Sequence, residues 1–171
     1  MLVLTLLGTA CSIDDGGGEG RTTVTETSST TTTEAAAPPS TVPRSVGIVE
    51  VDGAVYEIEA DCYAPGAGEL VAIGLATPSD GPRVEVYVQA FLGRPYVGIT
   101  VIDGGTSRLY EPAVDRPLDI TQLDDVLRVD DIALVTDLDL TAGEGVDAGL
   151  GSVVVECRGY AEELPPGFGA G

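Results

Sequence analysis

Along most of the chain, apolar and polar residues alternate with a period of two, the spacing of a half-buried strand rather than a helix. The run Arg83–Phe91 places Val84, Val86, Val88 and Ala90 on one side and Tyr87, Gln89 and Phe91 on the other. In Ala54–Tyr63, Tyr56, Ile58, Ala60 and Cys62 share a face, opposite Val55, Glu57, Glu59 and Asp61. Ser152–Tyr160 repeats the pattern, with Val153, Val155 and Cys157 inward and Glu156 and Arg158 outward. Shorter runs at Ile48–Val51, Leu70–Ala76, Tyr96–Ile102 and Thr106–Tyr110 add further strands. Val126–Leu140 adds another, whose Asp-rich pattern is less clean.

Turn residues separate these runs. Asp52-Gly53 supplies the positive φ angles that a two-residue hairpin needs. Pro65-Gly66-Ala67-Gly68, Pro78–Pro82, Gly93-Arg94-Pro95 and Asp103-Gly104-Gly105 break the chain in the same way. Between Glu111 and Asp125 the pattern predicts a loop that runs into one helical turn around Ile120–Leu127. Short strands punctuated by turns, with no long helix, predict an all-β domain over 46–160: a small antiparallel sandwich or open barrel.

The two ends read differently. Residues 1–10, MLVLTLLGTA, are mostly apolar and uncharged. They are too few to span a bilayer, which takes about 20 residues, and match the apolar stretch of about 7–15 in a signal peptide. No Arg or Lys precedes them, a departure from the usual basic start. Leu7-Gly8-Thr9-Ala10-Cys11 resembles the bacterial lipobox, with Gly8 where Leu is commonest. There a small residue admits the peptidase, and the thiol of Cys11 would carry the lipid and become the new N-terminus. Residues 11–45 then form a Thr-, Gly- and Pro-rich linker with little apolar surface to bury, expected to be a disordered stalk. About 33 flexible residues would reach roughly 30 Å. Residues 161–171 read as a flexible tail.

Composition narrows the partners. The net charge is −20, from 28 acidic residues against eight Arg, and Lys, Asn, His and Trp are absent. Nucleic acid and a peripheral hold on anionic lipid both reward clustered cations, so neither is expected. Hydrophobic content of 43% supports a core, but with 5% aromatics that core must be aliphatic.

Three cysteines in an exported chain leave one odd. With Cys11 lipidated, Cys62 and Cys157 remain, each at an inward strand position. Two free buried thiols are the alternative, one that an oxidising compartment disfavours. Cys11 with the Thr-rich stalk, Val49-Glu50-Val51-Asp52-Gly53, Cys62, Val71-Ala72-Ile73-Gly74 and Val155-Glu156-Cys157 together resemble the small mycobacterial surface-antigen lipoproteins of the LpqH type. The order and spacing cover nearly the whole chain, although each motif alone is weak. The resemblance implies a Cys62–Cys157 disulfide and display at the cell envelope, and no catalytic residues. The strong acidity, the stretch Gly105–Asp125 and the tail after Cys157 depart from that pattern.

Chemistry is sparse. Without His, the usual Ser-His-Asp and Cys-His machinery and His-ligated zinc are excluded. Asp124, Asp125, Asp130, Asp131, Asp137, Asp139 and Glu144 offer oxygens to Ca²⁺, and Asp137–Thr141 imitates the start of an EF-hand loop. Ala142 and Ala148, however, stand where that loop needs its Gly and its bidentate Glu. A solvated acidic face is the expected reading, with no metal and no cofactor. The expectation is a non-catalytic lipoprotein, anchored at the extracytoplasmic face of the cell membrane and binding an envelope glycolipid or protein through one sheet face. A carboxylate-dependent hydrolase is the alternative.

Overall fold

The computed structural model describes residues Arg44–Phe168. Nine strands follow one another: β1 (Ser45–Val51), β2 (Ala54–Gly66), β3 (Glu69–Ala76), β4 (Arg83–Ala90), β5 (Tyr96–Asp103), β6 (Thr106–Pro112), β7 (Thr121–Leu123), β8 (Val126–Asp139) and β9 (Glu144–Glu156). All pairings between strands are antiparallel, in the order β6-β5-β4-β3-β2-β1-β9-β8-β7. A further pairing of β6 with β8 curls this sheet into a ring. Of the two forms left open by the sequence, the barrel is the one adopted. Closing the ring removes most of the free strand edges that an open sheet would expose.

The alternation seen in the sequence sets the faces. Ile58, Ala60 and Cys62 on β2, Val84, Val86 and Val88 on β4, Val97 and Ile99 on β5, and Val153 and Val155 on β9 are all buried in one core. Register carries the inward face from strand to strand: Ala60 opposes Gly74, Gly74 opposes Val86, Val86 opposes Ile99, and Ile99 opposes Tyr110. Small and large residues interlock within it. A Cβ on Gly74 would lie 2.5 Å from Cδ1 of Ile58, and one on Gly47 would lie 3.1 Å from Cγ1 of the same side chain. Ile58 therefore fills space that two glycines vacate.

Hairpin turns follow their residues. Asp52 and Gly53 adopt φ of 52° and 71°, as the Asp-Gly pair predicts. The predicted helical turn at Ile120–Leu127 is not formed. Leu123 opposes Val126 instead, with Asp124 at φ 53° in the turn between β7 and β8. The 3–4 spacing of Ile120, Leu123 and Leu127 resembles a helix, but the Asp124-Asp125 turn overrides it.

Disulfide Cys62–Cys157 stitches the ring where β1 runs out. β1 begins at Ser45, opposite Ala60 of β2, and β9 ends at Glu156, opposite Val46. Just beyond, Cys62 and Cys157 are bonded with their Cα atoms 5.8 Å apart, 95 residues apart in sequence. Ala161 then takes the place β1 has vacated: its N–H donates to the Cys62 carbonyl at 3.0 Å, and its carbonyl accepts from Ala64 N–H at 2.8 Å. Ser45, fully buried, accepts through Oγ from the Arg158 N–H at 3.0 Å. Of the tail read from the sequence over 161–171, residues Ala161–Phe168 lie on the barrel, with the Phe168 ring on Tyr87; residues 169–171 fall outside the described residues.

Candidate functional site

Among the described residues, two neighbouring depressions stand out on the outer surface of the ring. The larger, about 1030 Å³, covers β1, β2 and their neighbours and is lined by Val46, Ile48, Val55, Leu75 and Val154 together with Glu57, Glu59 and Glu156. Glu59 is paired there with Arg44. The smaller, about 400 Å³, lies over β3–β5, lined by Ile73, Leu75, Tyr87, Tyr96 and Phe168 among others. Leu75 belongs to both, so the two form one continuous, largely apolar outer face.

The smaller hollow is built by strand parity. Tyr87 stands outward on β4, directly opposite Gly98 of β5. Gly98 is buried although it faces outward, because aromatic rings cover it: a Cβ there would lie 3.1 Å from the Tyr96 hydroxyl oxygen. The Tyr87 and Tyr96 ring centroids are 6.1 Å apart at 51°, and Phe168 stacks on Tyr87 at 5.7 Å and 15°. Such geometries favour aromatic contact beyond simple area burial.

Polar groups fix this floor. Tyr96 donates its hydroxyl hydrogen to Oε1 of Glu111 at 2.8 Å. Burial first, then that bond and the negative charge of Glu111, raise the Tyr96 pKa well above the ordinary phenol range, so the donor stays protonated. Burial also raises Tyr87. Tyr87 donates to Oε1 of Gln89 at 3.1 Å, and Gln89 Nε2 donates to the Arg94 carbonyl at 2.8 Å, which locks the β4–β5 turn against the hollow. The result is a rigid, greasy recess with its phenol groups already satisfied. It is suited to hold an apolar or aromatic group and lacks an activated nucleophile.

Other residues nominated by the sequence find different places. Tyr87 is outward, as its parity predicts, but half-buried under Phe168 rather than freely exposed. Phe91 follows the end of β4 and is not among the residues lining the hollow. Cys62 and Cys157 are joined; Cys11 lies outside the described residues. Among the described residues, no group of three or more His, Cys, Asp or Glu is placed to hold a metal ion. The acids instead shape the backbone. Asp131 and Asp137 take positive φ where β8 bulges against β9, and the Asp139 carboxylate accepts from the N–H groups of Thr141 and Ala142 at 2.8 and 3.2 Å. Asp147 accepts from Gly149 N–H at 2.9 Å where β9 bulges in turn.

No protein-family model, curated protein or solved structure matches the chain. Sequence parity put Tyr87 on the right face, but nothing in Leu164-Pro165-Pro166-Gly167-Phe168 announced that the tail would reach it.

Proposed function

We propose that this chain is a non-catalytic, lipid-anchored cell-envelope protein that binds a partner through the outer face of β3–β5. The observation that carries the reading is the aromatic hollow around Tyr87, on the outside of a ring whose inward residues pack into one core. A concave, mostly apolar recess with a few fixed polar groups is the ordinary form of a binding site. The disulfide supports an oxidising, extracytoplasmic location. Cys11, a Thr-rich stalk and the barrel would then act as anchor, spacer and display domain, in keeping with the resemblance to LpqH-type lipoproteins. Two acyl chains or more would make the anchor stable, since each buried CH₂ contributes about 0.8 kcal/mol.

Mass spectrometry of the N-terminal peptide from the native host tests the anchor: Cys11 is expected as the first residue, carrying acyl mass. A mature peptide starting at Cys11 without lipid would end that part of the proposal. A photo-crosslinking side chain at position 87 tests the face. It is expected to give a discrete adduct in the native envelope, whereas one at Leu109, exposed on β6, is expected to give none. Steady hydrolysis of any substrate, abolished by changing one Asp or Glu, would replace this reading with the hydrolase alternative.

A further inference from the structure

One wall of the Tyr87 hollow is the chain's own C-terminal segment, which covers the Tyr87 ring. After Ala161 the chain leaves β2, crosses toward β4 and sets the Phe168 ring on Tyr87, turning just before it through a Phe168 N–H to Pro165 carbonyl bond of 3.1 Å. The sequence of this strap is Glu162-Glu163-Leu164-Pro165-Pro166-Gly167-Phe168. Beyond Ala161, no backbone hydrogen bond ties it to a strand among the described residues. Phe168 itself remains 44% exposed. Apart from that aromatic stack, only Leu164 and Pro165 of the strap are partly buried, while about 400 Å³ beside the ring stays open.

We infer that the Tyr87 face of the hollow is a docking site for an aromatic side chain carried on a proline- and glycine-flanked extended peptide, and that residues Glu162–Phe168 cover that face as a displaceable internal competitor. The inference rests on the outer-face reading above and names both its ligand class and its regulation. The geometry shows what the Tyr87 ring accepts: a second aromatic ring nearly parallel to it, 15° apart, presented by a segment that two prolines stiffen. Tyrosine-lined grooves suit such segments because little chain entropy is lost when they dock. Tethering matters too. A short linker holds the strap near its site at an effective concentration on the order of millimolar, so an external peptide of equal intrinsic affinity must compete against it. Partner binding is then tuned by whatever pulls the strap away.

The test uses the synthetic peptide Glu-Glu-Leu-Pro-Pro-Gly-Phe, titrated to the millimolar range set by that linker estimate. Its targets are the full chain, a chain ending at Ala161, and a full-length Phe168→Ala variant. Binding is read from the ring resonances of Tyr87 and Tyr96. The peptide is expected to shift both resonances in the shortened chain and in Phe168→Ala, and to bind the intact chain about ten-fold more weakly, as a tethered competitor requires. Adding Tyr87→Ala to the Phe168→Ala chain is expected to abolish binding. Equal binding to the intact chain and Phe168→Ala would overturn the internal competitor. No binding to Phe168→Ala, or binding of lauric acid there in place of the peptide, would overturn the peptide class. Because Phe168→Ala keeps the whole chain, a folding failure of the shortened form leaves the test intact. The crosslink at position 87 judges the outer-face reading separately: an adduct that forms equally with and without Phe168 would keep that reading and remove the strap's role.

Discussion

The two sides of the ring solve the same problem in opposite ways. Along β3–β4–β5 the ladders run without a register shift, and the inward residues are almost all Val, Ile, Ala and Gly. Along β8–β9 the register shifts three times, between Val129 and Ile132, Ala133 and Val135, and Thr136 and Asp139. Each shift inserts one residue, which bends a strand and increases its twist, and a barrel must bend its strands somewhere to close. The smooth side carries the hollow; the bulged side gives the sheet the curvature it needs to meet β6. Acidity therefore has different meanings on the two sides. Outward Glu57 and Glu85 are solvated or paired with Arg, whereas Asp131 and Asp137 occupy left-handed backbone at φ 52° and 53°. Asn is the usual L-residue for that conformation alongside Asp, and this chain contains none.

The largest effect should come from cutting the link between the two sides. Cys62 lies on β2 and Cys157 at the exit of β9, so their bond ties the smooth side to the bulged one. Replacing both by Ala is expected to lower the unfolding free energy by about 4–5 kcal/mol, the chain-entropy value for a loop of this length. Urea denaturation measures it. A loss below about 1 kcal/mol would mean that the denatured chain is already constrained without the bond.

Next comes a pair of matched core deletions. Ile99 on β5 is 0% exposed and Ile132, beside the first bulge, is 2% exposed. Both Ile99→Ala and Ile132→Ala are expected to cost about 2–5 kcal/mol, because cavity formation depends on packing and not on ladder regularity. If Ile132→Ala cost less than 1 kcal/mol, the bulged side would relax into the gap, and the core would be less continuous than the buried cluster shows.

Much of the smooth side was legible in the sequence, since alternation alone names its inward residues, and the Asp-Gly and Gly-Gly pairs mark its turns. The disulfide was legible for the same reason: Cys62 and Cys157 sit at inward parity. Ring closure was not. It depends on Glu111 opposing Val135 and Pro112 opposing Leu134, two pairs across a long loop, with no pattern in either strand that selects the other. The bulges were hidden because an Asp at positive φ looks like any acidic residue in one dimension. That is why β8 read as a poor strand with a candidate Ca²⁺ loop. Half of the hollow was readable, through Tyr87; the half supplied by Phe168 was not, because a Pro-Pro-Gly segment carries no periodicity.

A third measurement reverses the sign of one substitution between the two sides. At Asp137 and Asp131, a β-branched residue is strained in left-handed backbone, so Asp137→Val and Asp131→Val are each expected to cost about 1–2 kcal/mol. Glycine relieves that strain, and Asp137→Gly should stay within about 0.5 kcal/mol of the parent, strain relief offsetting the entropy cost of Gly. Glu57, outward on β2, should show the reverse order. There Glu57→Val is nearly neutral, within about 0.5 kcal/mol, and Glu57→Gly costs about 0.5–1 kcal/mol. Thermal melts of the five variants decide it, and the same order at Asp137 and Glu57 would remove the distinction drawn between bulged and regular strands.

The smallest effect concerns the β8–β9 turn and depends on pH. The backbone N–H of Thr141, then that of Ala142, hold the Asp139 carboxylate below its ordinary pKa of 3.8. A group whose folded pKa is depressed contributes stability above its unfolded pKa and loses it as pH falls through the folded value. Asp139 is exposed, so solvent screens the contribution and the expected difference is a small shift in melting temperature. Asp139→Ala is expected to melt slightly lower than the parent at neutral pH, with the gap narrowing as pH drops below about 4. Asp139→Asn separates charge from geometry, because its side-chain oxygen still accepts both N–H groups without titrating. That variant should melt close to the parent at low pH, where both acceptors are neutral. A gap between Asp139→Ala and the parent that stays constant from neutral pH into the acid range would show that the side chain holds the turn by geometry alone and that its ionisation contributes nothing.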